Sequence, residues 1–163
     1  MVSGPVIGIA GAGSIGCFVG GMLAAGGRRV ALLARPRVIV EIEANGLRST
    51  SSEGFDQTIP RASLVLSENP SVFGDAGIVL VTVKSVDTAD MAGIIAKHAP
   101  ADAIVISLQN GVGNVAGLRE RLPGRRVLGG MVPFNVIALG EGRFHRATSG
   151  DIVIERDKAL PAE

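Results

Sequence analysis

A short apolar run that breaks into glycines, residues 6–16 with the sequence VIGIAGAGSIG, constrains the fold of this chain more than any other stretch. Its glycines Gly11, Gly13 and Gly16 have the spacing G-x-G-x-x-G. In dinucleotide-binding folds the first glycine permits a tight turn, the second lets the backbone approach a pyrophosphate, and the third allows close helix–strand packing. The stretch therefore predicts a strand, a phosphate-binding loop and the start of a helix.

The residues that follow support the same interpretation. Apolar side chains recur at helical spacing at Ile15, Phe18, Val19, Met22 and Leu23. The pair Gly26-Gly27 then ends the helix before a second apolar run at residues 30–34. A glycine-rich turn is the alternative in a chain with 23 glycines, but the order of elements favours a cofactor site. The residues expected to bind the cofactor here are Gly11, Ala12, Gly13, Ser14, Ile15 and Gly16.

A basic residue ends the second predicted strand. Arg35 lies about 20 residues after the glycines, where an acid would bind a free ribose hydroxyl and an arginine accommodates a 2′-phosphate. Arg37 is close by, and no acid precedes Glu41. Because a guanidinium pairs with phosphate through two hydrogen bonds, we predict a preference for NADP(H). The alternative is a solvated arginine at a strand end. Pro36 is expected to start the next helix.

Two further apolar runs, residues 78–83 and 103–108, are typical of central parallel strands. Lys84 follows the first run, and Asn110 lies just after the second. Ligands of open α/β sheets bind outside the carboxyl ends of the strands, so both residues are candidate ligand contacts. Each also has a plainer explanation, since a lysine is often solvated and Asn-Gly is a common turn signal.

The remaining segments complete an alternation of strands and helices. Residues 47–66 alternate polar and apolar side chains and predict short antiparallel strands in a surface hairpin. Asn114 is expected to cap a helix, and residues 127–136 to resume the sheet. Residues 143–147 and 151–155 are candidate edge strands. The predicted fold class is α/β, a single domain with a Rossmann-type, doubly wound, mostly parallel sheet and extra short antiparallel strands.

Composition excludes some classes of function. A net charge of +1 and a pI near 8.0 provide no basic face for nucleic acid. No apolar stretch approaches the roughly 18–20 residues of a membrane span, so we expect a soluble, cytoplasmic protein without a membrane partner.

The single cysteine, Cys17, is expected to be a small buried hydrophobe. His98 suits a helix C-terminus and His145 is expected in a polar loop, so neither is assigned a catalytic role. No metal site is predicted.

Four motifs in order resemble the ketopantoate reductase family, also called 2-dehydropantoate 2-reductase. They are the glycine motif, Arg35, Thr82-Val83-Lys84-Ser85, and Leu108-Gln109-Asn110-Gly111-Val112-Gly113. Residues 129–135, with the sequence GGMVPFN, add to a likeness that runs from Val6 to about Glu155. Many dehydrogenases share the glycine motif, whereas the ordered combination of the lysine and Asn-Gly motifs is much more specific.

The resemblance implies an NADPH-dependent oxidoreductase that reduces a 2-keto acid, ketopantoate, to pantoate by hydride transfer, on the route to pantothenate and coenzyme A. It implies that Arg35 and Lys84 hold the 2′-phosphate end of the cofactor. It also implies that Asn110 binds near the nicotinamide ribose and the substrate, and that Val136 contacts the cofactor through its backbone. The chemistry of the residues agrees in part, since two cations suit a phosphate and an amide both donates and accepts.

Members of this family carry a second, helical domain with the lysine that protonates the reduced ketone. We therefore expect residues 1–155 to form an NADP-binding domain and residues 156–163 to begin a linker to that C-terminal domain. No catalytic residue is assigned in this chain, which is expected to be inactive by itself. Apolar surface left uncovered would favour association, for example as a homodimer. Two alternatives stay open: a related NADP-dependent 2-keto or hydroxy acid dehydrogenase, and a non-catalytic nucleotide-sensing module.

Overall fold

The computed structural model of the chain describes residues 4–157. These residues form four α-helices and eleven strands, arranged in two sheets. In chain order the elements are β1 (Val6–Ala10), α1 (Ser14–Ala25), β2 (Val30–Leu33), α2 (Pro36–Asn45), β3 (Leu47–Ser51), β4 (Asp56–Ile59), β5 (Leu64–Ser67), β6 (Ala76–Val81), α3 (Thr88–His98), β7 (Ile104–Ser107), α4 (Asn114–Arg121), β8 (Val127–Met131), β9 (Val136–Gly140), β10 (Arg143–Arg146) and β11 (Val153–Ile154).

The larger sheet has seven strands in the order β11-β8-β7-β6-β1-β2-β5. Its strands are parallel except β11, which pairs antiparallel with β8. The chain builds one half outward from β1 through β2 to β5, then returns to place β6 on the other side of β1. This reversal puts a topological switch point between β1 and β6, where doubly wound sheets bind ligands. The predicted α/β class is confirmed.

Apolar cores lie on both faces of this sheet. One contains buried side chains of β1, of α1 and of the smaller sheet, among them Ile9, Phe18 and Leu47. The other contains buried side chains of α3 and α4, including Ile95 and Leu118. Strands covered on both faces lack a polar side, which explains why β6 and β7 have nearly continuous apolar sequences.

The smaller sheet has four strands in the order β4-β3-β10-β9. β3 and β4 form the expected antiparallel hairpin, and β10 pairs parallel with β3 and antiparallel with β9. Phe18 of α1 packs edge-on against Phe55 and Phe134, with ring centroids 6.3 and 5.7 Å away. Helix α1 also packs against β1 and β2, so it lies between the two sheets.

Three strand predictions were wrong. Residues 64–67 form β5, which pairs parallel with β2 in the larger sheet instead of extending the hairpin. Residues 127–136 are not one strand, because β8 ends at Met131 before Pro133, which has no N–H to donate, and β9 belongs to the other sheet. Residues 143–147 do not form an edge strand, since β10 has a partner on each side. The prediction for residues 151–155 holds at β11.

Two side-chain predictions also need correction. The N-cap of α4 is Gly113, whose φ of 100° is left-handed, and the Asn114 side chain makes no capping bond to that helix. His145 lies in β10, where its Nδ1 is 2.8 Å from Thr50 Oγ1, and not in a loop. Pro36 does start α2, and His98 does end α3.

Among the described residues, no helix is long and apolar enough to cross a membrane. The predicted linker at residues 156–163 lies almost wholly outside the described part of the chain, which ends at residue 157.

Candidate cofactor site

The glycine motif forms a loop between β1 and α1 in which each glycine has a different environment. Gly11 has a φ of 110°, and a Cβ there would lie 2.5 Å from Val83 Cγ1 and 2.9 Å from Val83 N. A Cβ at Gly16 would lie 2.2 Å from the Gly11 carbonyl oxygen. A Cβ at Gly13 would meet no atom within 4 Å. The first and third glycines are thus required by packing, while the second borders open space.

Hydrogen bonds hold this loop to the strands on both sides of β1. Thr82 Oγ1 donates to the Gly11 carbonyl oxygen at 2.6 Å, and Ala12 N donates to the Leu33 carbonyl oxygen at 3.1 Å. These contacts anchor the loop to the carboxyl ends of β6 and β2. The loop is therefore fixed before any ligand binds.

The N-terminus of α1 follows at Ser14, with Gly13 as an N-cap that supplies no side-chain oxygen. The first N–H groups of an α-helix have no partner within the helix, and its N-terminus carries partial positive charge. The first turn of α1 contains no acidic residue that would neutralise this charge. Open space beside Gly13 and free donors together suit a pyrophosphate.

A cleft of about 740 Å³ runs from the glycine loop past the end of β2 to the end of β6. Arg35 and Lys84 line it, and both side chains are exposed. Within residues 4–157 neither takes part in a hydrogen bond or ion pair. Glu68, Asp87 and Asp90 also line the cleft, but none of them forms an ion pair with either cation. An unpaired guanidinium and an unpaired ammonium can bind an anion that carries more than one charge.

Arg37 lines the same cleft but is already paired. Its Nε donates to Glu41 Oε1 at 3.0 Å, and Glu41 Oε2 accepts from the Gly142 backbone N–H at 3.3 Å. The Gly142 bond first, and the Arg37 guanidinium second, hold the pKa of Glu41 below its usual range. A carboxylate that stays ionised keeps Arg37 occupied, so Arg35 and Lys84 are the more available cations.

A smaller cleft of about 350 Å³ lies between the ends of β6 and β7 and the first turn of α1. Lys84, Asn110 and Ile15 line it, and it shares Lys84 with the larger cleft. The structure therefore brings the glycine loop, Arg35, Lys84 and Asn110 to one edge of the sheet, as the sequence predicts. Val136 lines neither cleft, and its predicted cofactor contact stays a prediction.

A buried polar network lies behind this edge, and most of it was not predicted. Gln109 Nε2 donates to the Val83 carbonyl oxygen at 3.0 Å and to Thr88 Oγ1 at 2.7 Å. Thr88 Oγ1 donates to Asn114 Oδ1 at 3.1 Å. Asn114 Nδ2 donates to Ser85 Oγ at 3.0 Å. A polar residue straight after an apolar strand was the available signal, but nothing local indicated that Thr88 joins the others.

Cys17 lies under the glycine loop, where its thiol donates to the Ala12 carbonyl oxygen at 3.3 Å. Burial, and to a lesser extent the charge of Glu41, raises the pKa of Cys17 to about 12. A shift from 9.0 to about 12 leaves about 1,000-fold less thiolate at a given pH below 9. The thiolate is the reactive form, so the predicted role as a buried hydrophobe agrees with its position.

We expect the folded chain to resist iodoacetamide at pH 8, with modification at least about 100-fold slower than in guanidinium, where Cys17 is exposed. Intact-mass spectrometry over time measures both rates. Equal rates in the folded and unfolded chain would contradict the burial of this thiol.

The family profile described as Ketopantoate reductase PanE/ApbA matches residues 7–158. A 2-dehydropantoate 2-reductase of Halobacterium salinarum is 36% identical over 149 residues, which cover 91% of this chain and 48% of that protein. The chain thus spans about half the length of the curated relatives it matches.

Solved structures show the same relation. The crystal structure of a PanE/ApbA family ketopantoate reductase from Ralstonia eutropha has a TM-score of 0.85 and 37% identity, covering 94% of this chain and 50% of that one. A 2-dehydropantoate 2-reductase from Geobacter metallireducens has a TM-score of 0.81 and 27% identity, covering 96% and 51%.

Proposed function

The chain belongs to the ketopantoate reductase family, and from this premise we propose that residues 1–155 are the NADPH-binding half of a 2-dehydropantoate 2-reductase. The complete enzyme reduces ketopantoate to pantoate, and the cofactor supplies a hydride to the keto carbon. One observation carries the choice of cofactor: two unpaired cations, Arg35 and Lys84, line the cleft that begins at the glycine loop. NADPH differs from NADH by a 2′-phosphate, for which such a pair is suited.

Different residues of the chain bind different parts of the cofactor. The loop at Gly13 and the first N–H groups of α1 bind the pyrophosphate. Arg35 and Lys84 bind the 2′-phosphate from two sides. Asn110 binds near the nicotinamide ribose and the substrate, where its amide donates and accepts, and Val136 contributes a backbone contact. The shared wall of the two clefts at Lys84 suits a ligand that extends through both.

Reduction of a ketone also needs a proton, because hydride transfer leaves an alkoxide. Among the described residues that line the smaller cleft, Lys84 is the only titratable one, and it is assigned to phosphate. We propose that the proton comes from the C-terminal half that the longer relatives have, reached through a linker that begins near residue 156. The substrate partner is a small 2-keto acid, and the setting is cytoplasmic.

Calorimetric titration of the chain with NADPH and, separately, with NADH tests the cofactor assignment. We expect NADPH to bind at least tenfold more tightly, a difference of about 1.4 kcal/mol. Calorimetry suits this chain, which has no Trp or Tyr for fluorescence. Equal binding, or tighter NADH, would remove the support from Arg35 and favour an NAD enzyme or a nucleotide sensor. Failure of both to bind would overturn the cofactor site.

Turnover assays test whether the proton donor lies in the C-terminal half of the complete enzyme. The 163-residue chain is expected to show no turnover of ketopantoate with NADPH. Measurable turnover would contradict the assignment of the proton donor to the other half. For a chain extended through the second domain, a comparison of ketopantoate with other branched 2-keto acids identifies the preferred substrate and separates this proposal from a related dehydrogenase.

A further inference from the structure

Lys84 and Asn110 lie on separate loops, and both side chains are exposed. Lys84 is on the loop from β6 to α3, and Asn110 is on the loop from β7 to α4. Two exposed side chains on different loops keep a constant separation only if something behind them joins the loops. The buried network is the structure that joins them.

Thr88 accepts one hydrogen bond in this network and donates another. Gln109 Nε2 donates to Thr88 Oγ1, and Thr88 Oγ1 donates its single hydrogen to Asn114 Oδ1. The exposed fractions of Thr88, Gln109 and Asn114 are 7%, 8% and 8%, so solvent does not replace these bonds. Each amide consequently has one satisfied orientation, with its oxygen accepting and its nitrogen donating.

The network ends at the backbone beside Lys84 and at the backbone of Asn110. At one end, Gln109 Nε2 binds the carbonyl oxygen of Val83, the residue before Lys84. At the other end, Asn114 Nδ2 binds the Asn110 carbonyl oxygen at 3.1 Å. Ser85 Oγ closes the circuit, since it accepts from Asn114 and donates to the same Asn110 oxygen at 3.2 Å. The backbone beside Lys84 is thereby joined by hydrogen bonds to the backbone at Asn110.

We propose that Thr88 is a positioning residue that fixes the separation of Lys84 and Asn110, and so sets the affinity for NADPH without touching it. This inference rests on the proposed function, in which those two residues hold opposite parts of the cofactor. Loss of the Thr88 hydroxyl leaves a donor of Gln109 and the oxygen of Asn114 unsatisfied. Both amides can then turn, which weakens the bonds by which Gln109 holds Val83 and Asn114 holds Ser85, and the separation of the two loops is less tightly fixed.

Two variants at Thr88 separate the effect of the hydroxyl from the effect of side-chain volume. Thr88→Val removes the hydroxyl and keeps the branched shape, whereas Thr88→Ser keeps the hydroxyl. We expect NADPH to bind about tenfold more weakly to Thr88→Val and within about twofold of wild type to Thr88→Ser. Calorimetry gives the affinities, and circular dichroism melts show whether each variant is folded.

A double-mutant cycle distinguishes positioning from a general structural role. In a chain that already carries Lys84→Ala and Asn110→Ala, Thr88→Val is expected to change NADPH affinity by less than about twofold, because the residues it acts through are gone. A tenfold loss in both backgrounds would show a general structural effect and overturn the proposal. Should Thr88→Val fail to fold, Gln109→Met removes the donor to Thr88 from the same hydrogen-bond network and is judged by the same criteria.

The outcomes for the two proposals differ. A wild-type chain that binds no NADPH overturns the proposed function and this inference with it. A wild-type chain that binds NADPH, with Thr88→Val binding equally well, overturns only the positioning role.

Discussion

Gly16→Ala is expected to destabilise the fold by about 3 kcal/mol and to abolish measurable NADPH binding. The added methyl would lie 2.2 Å from the Gly11 carbonyl oxygen, 2.8 Å from Thr82 Oγ1 and 2.9 Å from Ile9 Cγ2. The nearest atom is backbone, so no side-chain rotation relieves the clash. Helix α1 has to move away from β1, which separates its N-terminus from the loop. Thermal melts followed by circular dichroism, together with calorimetry, measure both effects.

Two other glycines provide matched controls for this variant. Gly13→Ala places a methyl in open space at a φ of −82°, so stability should stay within about 0.5 kcal/mol of wild type. That methyl occupies the approach to the proposed pyrophosphate position, and NADPH affinity should fall at least about 30-fold. Gly93 is exposed in the middle of α3 with no atom near its Cβ position. Gly93→Ala should raise stability by about 0.5–1 kcal/mol and leave binding unchanged.

This pattern separates folding from binding at a single loop. A Gly16→Ala chain that melts like wild type would show that the close contact between α1 and the loop is not needed. A Gly13→Ala chain that binds NADPH as tightly as wild type would show that the pyrophosphate does not approach there.

Arg35→Ala is expected to lower NADPH affinity by about 10- to 100-fold and to change NADH affinity by less than about threefold. The guanidinium has no partner within residues 4–157, so its removal leaves no buried charge behind and acts mainly through the ligand. Lys84→Ala should also lower NADPH affinity. A chain that carries both Arg35→Ala and Lys84→Ala should bind NADPH and NADH about equally. Arg35→Lys keeps the charge but loses the two-pronged geometry, so an intermediate loss is expected.

Arg37→Ala is the matched control, since it removes the same group from the same cleft. Its guanidinium is already bonded to Glu41, so we expect less than about a threefold loss of NADPH affinity. Calorimetry with both cofactors measures each variant. Equal losses for the Arg35 and Arg37 variants would show that the unpaired arginine has no special role in binding the phosphate. No loss for Arg35→Ala would remove this residue from the 2′-phosphate site.

Much of the framework could be predicted because it depends on short-range sequence. The spacing of Gly11, Gly13 and Gly16 specifies a turn and a helix start through local sterics. Apolar runs predict β6 and β7, and Pro36 predicts the start of α2. The edge that carries Arg35, Lys84 and Asn110 followed because parallel strands place their carboxyl ends together.

Features that join distant segments were predicted poorly. The partner of β5 is β2, and β10 lies between β3 and β9, although their sequences indicate only short strands near the surface. Which neighbour a short strand pairs with depends on the packing of the whole layer and not on its own side chains.

Asn114 shows the same limit at a single residue. An asparagine before an apolar segment is a good candidate for a helix cap, and its local sequence supports that interpretation. In the fold, the loop from β6 passes within hydrogen-bond reach, and the Asn114 amide binds Thr88 and Ser85 instead. Short-range sterics and strand-end geometry depend only on the order of residues, and they were sufficient to predict the central strands β1, β2, β6 and β7 and the edge that carries Arg35, Lys84 and Asn110. The buried network behind that edge required the assembled structure, because Thr88 and Asn114 meet only when the helices of two successive crossovers pack side by side.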